Sequence, residues 1–413
     1  MDFRAIFSIG VCILVPVVLA DMAAQASEEK AGQTEDSDHV FYRMGKGMQA
    51  QGDAKSLAKA VSYFKRAAKD GETKAHNELG KAYLYGWGVK KSPNDAYENF
   101  KKGVQANLAE SQYYFSGCYL TGVGVKKDLG RALYWMDQSA RQGYEPAYLA
   151  MFEHYYRGVG VKQDYDVAYA WLHKALERNG ENHRAQFFVS HLLREGQGVE
   201  KDLELAFTWM GKSADGGYTP AQREYSKYYT HGLGVEKNPQ LARMWMVRAA
   251  EAGDSKAMEE LAKMYLSGHG GEQSEAEATL WMGKAAAKGN ANAQYLYGNW
   301  FLQGKYLEKD EKQGYRYVHA SALRGNVDAQ YLVALLLNEG KGTLKDPIQG
   351  FSWMKKAAVL GKPRAMYNVG LYYAEGVGVE KNMSQAKEWI KKADEAGVEK
   401  AAKAWEKYSL WEH

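Results

Sequence analysis

Small, apolar and aromatic residues return along this chain on a fixed ruler. One column holds Ala60, Ala96, Ala132, Ala168, Ala206, Ala242, Ala278, Gly314, Gly350 and Ala386. Three residues later come Trp135, Trp171, Trp209, Trp245, Trp281, Trp353 and Trp389, with Tyr63 and Tyr317 as substitutes and Asn99 as the exception. An apolar residue follows at the next position, and small residues about a turn further on. Recurrence at i, i+3, i+4 and i+7 is one face of an amphipathic helix. Four residues ahead of each small residue stands a cap candidate: Ser56, Ser92, Asp128, Asp164, Asp202, Asn238, Ser274, Asp310, Asp346 and Asn382. Their side-chain oxygens accept an otherwise orphan backbone N–H. Pro93, Pro239 and Pro347 come next, where a missing N–H costs nothing. Gly71, Gly143, Gly217, Gly253, Gly289, Gly325, Gly361 and Gly397 are placed to end this helix as left-handed caps.

A second helix precedes it in each unit. It starts near Ala75, Ala147, Ala185, Ala221, Ala257, Ala293, Ala329 and Ala365 and ends at a loop glycine. Those glycines are Gly86, Gly122, Gly158, Gly196, Gly232, Gly268, Gly304, Gly340 and Gly376, spaced by 36 residues with one interval of 38. An earlier copy near Val40 completes ten units. Taken alone, Gly122-Val-Gly-Val with Lys126 and Lys127 suits a phosphate-cradling loop. It follows a helix and not a strand, however, and it recurs, so dinucleotide and P-loop readings lack their context. A fixed period of this length marks a solenoid of stacked helix pairs.

The composite pattern "A-Q-Y-x-x-G…Y…G-x-G-V-x-K-[DN]…A…W…AA…G" resembles the Sel-one-like repeat (SLR), a relative of the tetratricopeptide repeat, from about Val40 to Ala401. The resemblance implies an all-α fold: an α/α solenoid, wound as a right-handed superhelix, of about ten helix pairs over 39–398. A C-terminal capping helix is expected over 399–413. It also implies a concave groove, lined by the first helix of each pair, that binds proteins or peptides. Bacterial members with signal peptides act as adaptors, signalling regulators and host-interaction factors. The loop departs from the pattern at "GHGGEQ" after Ser267 and at "GKYLEKD" after Gln303, and "NGENHR" at 179–184 carries a two-residue insertion expected to bend the stack.

Charge narrows the partners. A net charge of +4 on 54 basic and 50 acidic residues is too balanced for a nucleic-acid partner. Arg4, the apolar run Ala5 to Ala20, and the small-residue sites Val18-Leu-Ala20 and Ala24-Gln-Ala26 read as a signal peptide over 1–26. A flexible acidic leader, 27–38, is expected after it. The mature protein is then periplasmic or secreted, a monomer, and not an integral membrane protein. Cleavage would remove Cys12 and leave Cys118 without an intramolecular partner.

Function should lie on exposed, variable positions. Counted from the first small residue of each leading helix, positions +3, +6 and +10 fall opposite the buried arc. The candidate partner-binding residues on this stripe are Tyr114, Phe188, His191, Glu195, Glu224, Lys227, His231, Leu332 and Leu335. Phe188 is the anchor candidate, with packing against a neighbouring repeat as an equal alternative. His191, Glu195, Glu224 and His231 could ligate zinc or sense pH, against the plainer reading of a solvated polar groove. No cofactor is expected. The exposed turn carries Lys90, Lys126 and Lys162 in early units and Glu200, Glu236, Glu272, Glu308 and Glu380 in later ones. The leading expectation is a non-catalytic binding scaffold. The alternatives are a β-lactamase-like, penicillin-interacting enzyme, for which Ser62–Lys65 and Ser352–Lys355 match without KTG or SDN elements, and a cell-wall glycan binder using tyrosines.

Overall fold

The computed structural model describes residues 39–412. The expected signal peptide, acidic leader and Cys12 lie outside the described residues. Among the described residues there are 21 α-helices, a closing 3-10 turn at Leu410–Glu412, and no strand. The leading helices of the ten pairs are α1 (Val40–Gln51), α3 (Lys74–Tyr85), α5 (Ala109–Thr121), α7 (Glu145–Arg157), α9 (His183–Glu195), α11 (Thr219–His231), α13 (Ser255–Ser267), α15 (Ala291–Gln303), α17 (Val327–Glu339) and α19 (Pro363–Glu375). Their partners are α2 (Ala54–Lys69), α4 (Pro93–Gln105), α6 (Leu129–Arg141), α8 (Tyr165–Arg178), α10 (Leu203–Asp215), α12 (Pro239–Glu251), α14 (Glu275–Ala287), α16 (Glu311–Leu323), α18 (Pro347–Val359) and α20 (Met383–Glu395), and α21 (Lys400–Lys407) follows. We call the odd helices up to α19 A helices and the even ones B helices. The chain forms two compact units, the first ending at Asp202 and the second starting at Leu203. Within each unit an A helix packs on its own B helix and on the B helix before it.

The caps fall largely where the sequence puts them. Ser92, Asp128, Asp164, Asn238, Ser274, Asp310, Asp346 and Asn382 each accept the backbone N–H three residues on. Ser56 is the correction: α2 starts a turn earlier, because Asp53 accepts from the N–H groups of Lys55 and Ser56. The stop glycines adopt positive φ, and in the second repeat Asn107 takes that slot at φ 57°. At the two-residue insertion no such stop exists. Asn179 is extended there, and it and Asn182 both donate to Glu145.

Several columns join one repeat to the next. Gln222, Gln294 and Gln330 each donate a side-chain N–H to a carbonyl at the end of the preceding B helix. These bonds satisfy carbonyls that a helix end leaves open. The seven tryptophans of the repeat column are half-buried or buried, and six carry a cation over the ring from three residues later: Lys174, Lys212, Arg248, Lys284, Lys356 and Lys392, at 4.0–4.6 Å. The second glycine of the loop explains the rest of the GxG signal. A Cβ on Gly124 would collide with the carbonyl oxygen of Pro93, in the B helix of the preceding repeat. Where the eighth repeat replaces that glycine, Tyr306 holds φ 65° and packs edge-on against Trp300 at 5.0 Å.

Candidate functional site on the A helices

A helix positions +3 and +6 do not form the open stripe that helical geometry alone suggests. Within each unit, side chains of one A helix reach those of the next, so the side away from the B helix meets a neighbouring A helix. In the first unit, α3, α5 and α7 carry no exposed residue, and α5 is buried without interruption from Ser111 to Tyr119.

Charges at these positions are spent on contacts between repeats. Glu78 is buried and receives Lys46 at 3.3 Å, Gln49 at 3.2 Å and Lys81 at 3.2 Å, and Lys81 continues to Glu110. Burial works to raise the Glu78 carboxyl, but the ammonium groups of Lys81 and Lys46 prevail and hold it below the usual carboxylate range. Arg184 bridges to Glu153, and in the second unit Arg223 bridges to Asp254. Burial raises the Glu260 carboxyl, with Lys227 and Arg223 pulling the other way.

Several expected partner-binding residues are therefore corrected. Tyr114 is buried, its ring stacked on Phe100 at 5.1 Å. Phe188 is half-buried and rests on Phe152 of the preceding A helix at 4.8 Å. His191 is buried against the ring of Phe187 at 4.4 Å. Glu224 is buried and paired with Lys227 at 2.8 Å. Each answers the same physical demand: a position facing another helix is filled or neutralised. Glu195 and His231 are exposed, both in the last turn of their helices, and Glu195 pairs with Arg194. Among the described residues no group of three or more His, Cys, Asp or Glu is arranged to hold a metal ion.

Repeats 8 to 10 differ. Positions +3 and +6 there are Leu296, Asn299, Leu332, Leu335, Asn368 and Leu371, all half-buried and none charged. Leu332, Leu335 and Leu371 rest on a core built from α15 to α21. Asn338 and Asn368 donate across the repeat boundary to the hydroxyls of Tyr372 and Tyr331. Exposed polar residues border this strip: Asn292, Gln303, Asp328, Glu339, Arg364 and Glu375. An uncharged leucine floor with a polar rim suits a polypeptide, because apolar contact and hydrogen bonding are both on offer. The sequence showed Leu332 and Leu335. It missed that Leu296 and Leu371 extend them, a fact visible only once every third and sixth position is compared for charge.

Known proteins give this arrangement a family. The Sel1 repeat model matches residues 42–72, 73–108, 109–144, 146–180, 183–218, 219–254, 255–290, 291–326, 327–362 and 363–398. Among solved structures, the chain is similar to c5321, a protective antigen present in uropathogenic Escherichia coli strains and displaying an SLR fold. That match has 28% identity and a TM-score of 0.57, over 92% of this chain and 80% of that one. A Sel1 repeat protein from Oxalobacter formigenes shares the fold at 23% identity and a TM-score of 0.56, over 92% of this chain and 96% of that one. No curated protein sequence matches. Solenoids of this kind generally serve as scaffolds for protein–protein interaction and are generally non-catalytic. Ten consecutive family repeats, each folded as one helix pair, make this chain a member of the Sel1 repeat family.

Proposed function

We propose that this protein is a non-catalytic scaffold, periplasmic or secreted, that binds a partner protein or peptide along the A helix face of repeats 8 to 10. One observation carries the reading. The face that is locked by ion pairs or filled by rings in earlier repeats becomes an uncharged strip of Leu296, Leu332, Leu335 and Leu371. Export is supported by the N-terminal sequence and by likeness to an antigen of a pathogenic bacterium. No helix among the described residues is long and apolar enough to cross a membrane.

The test places a photo-crosslinking residue at Leu332 or Leu371 in cells, with exposed Lys101 on α4 as the control. Adducts are expected from the first two sites and not from the control, and Leu332→Glu with Leu335→Glu should remove them while helical content is kept. Equal crosslinking from all three sites would refute the proposed face. The β-lactamase-like alternative gains nothing from the geometry. Ser62 lies exposed on α2, its hydroxyl donating to the Lys59 carbonyl, and Ser352 lies exposed on α18. Neither has the oriented base that an activated serine needs.

A further inference from the structure

We infer that the B-to-A turn edge of repeats 7 to 9 docks on an anionic phospholipid surface, a role separate from the A helix face. In a helix-pair solenoid these turns share one edge, and the A-to-B loops lie on the other. The last residues of α12, α14, α16, α18 and α20 are Glu251, Ala287, Leu323, Val359 and Glu395. In the middle of that row three aliphatic side chains stand in solvent: Leu323 at 65% exposure, Val359 at 69% and Leu360 at 57%.

Cations surround them. Lys284, Lys288, Arg324, Lys356 and Arg364 are all exposed, Lys284 and Lys356 lying over the rings of Trp281 and Trp353, and none is ion-paired among the described residues. The single acid in these turns, Asp328, is already bridged by Lys362. The patch ends where Glu251, Asp394 and Glu395 begin. Protein hot spots favour aromatic anchors set in pockets. Here aliphatic chains project from turns, at recurring positions in successive repeats, so a flat surface can meet them together. Shallow insertion of aliphatic groups plus unpaired Lys and Arg is how peripheral surfaces hold anionic membranes. Each such cation strengthens partitioning about five-fold at low salt.

The test is vesicle co-sedimentation of the chain from Ser27 onward, which contains every described residue but omits the apolar segment that could itself bind lipid. Pelleting is expected with vesicles containing phosphatidylglycerol, not with phosphatidylcholine alone, and should be reversed by salt. Leu323→Asp with Val359→Asp should weaken it at least about ten-fold. Leu344→Asp should leave it unchanged, although Leu344 is 88% exposed, because it lies on the opposite, A-to-B loop edge. Circular dichroism of each variant confirms that the fold is kept. The inference is overturned by no pelleting, by equal pelleting with neutral vesicles, or by indifference to the Leu323 and Val359 changes. Capture of polyglutamate with no vesicle binding would also overturn it and assign the edge to an acidic protein. None of these outcomes bears on crosslinking at Leu332, so the two proposals fail independently.

Discussion

Gly217 and Gly234 hold φ of 83° and 64°, yet only one has a neighbour that a side chain would strike. Nothing lies within reach of a Cβ on Gly217, whereas a Cβ on Gly234 would collide with the carbonyl oxygen of Leu203. Gly217→Ala should cost about 1 kcal/mol, the strain of left-handed backbone alone. Gly234→Ala should cost about 2–5 kcal/mol, because overpacking between two backbones adds to that strain. Urea unfolding followed by tryptophan fluorescence measures both, and equal losses would refute the division of roles. Both glycine columns were legible as a period of thirty-six. Their different tasks were not, since spacing says where a chain turns and not what comes close to it. Cys118 was legible too. It is buried, and burial pushes its thiol up to about 12, so it should resist alkylation until the protein unfolds.

Caps and prolines wrote the helix starts plainly, because capping is local chemistry between residues three apart. The one displaced start, at α2, came from a competing cap at Asp53 that the repeat pattern hid. Compensation for irregular loops was not legible, because it reaches across repeats. In the seventh repeat "GHGGEQ" is held from outside: the Arg243 guanidinium, on α12, donates to the carbonyls of Met264, His269, Gly271 and Glu272. That position holds Val61, Tyr97, Leu133, Tyr169, Phe207, Thr279, Tyr315, Phe351 and Lys387 in the other repeats, so none of them has a guanidinium to offer its neighbour's loop. Arg243→Met should destabilise by about 2 kcal/mol, the scale of lost hydrogen bonds from a charged group. Hydrogen exchange should quicken in 268–274 and stay unchanged in 232–238. At the C-terminal end, α21 and the turn after it bury Ala401, Ala404 and Leu410 against the last repeats. Leu410→Ala should cost about 2–5 kcal/mol, read from the thermal midpoint.

At the scale of the whole chain, the architecture was legible because ten copies repeat one pattern, whereas the candidate site was legible only at Leu332 and Leu335, because neighbouring A helices conceal what a single helix would expose. That concealment also sets how each unit responds to acid. In the first unit, Glu78 is held below its ordinary range, so its contribution is present at neutral pH and fades as pH falls through its folded value. His154 is buried with Nδ1 2.8 Å from the Val159 carbonyl, and burial lowers it from 6.5. Unfolded chains therefore take up its proton first, and stability drops as pH goes below 6.5. In the second unit, burial likewise lowers His319, but Glu260 is raised, so folded chains bind that proton earlier and acid offsets part of the loss. The first unit should accordingly give way first. Pulse hydrogen exchange on moving from pH 7 toward about 5 should strip protection from α3 and α7 before α13 and α17. His154→Phe, which keeps the ring volume and removes the proton site, should delay the loss in the first unit and leave the second unit's profile where it was. Simultaneous loss across both units, or a first-unit profile indifferent to His154, would mean that these groups do not set the acid response.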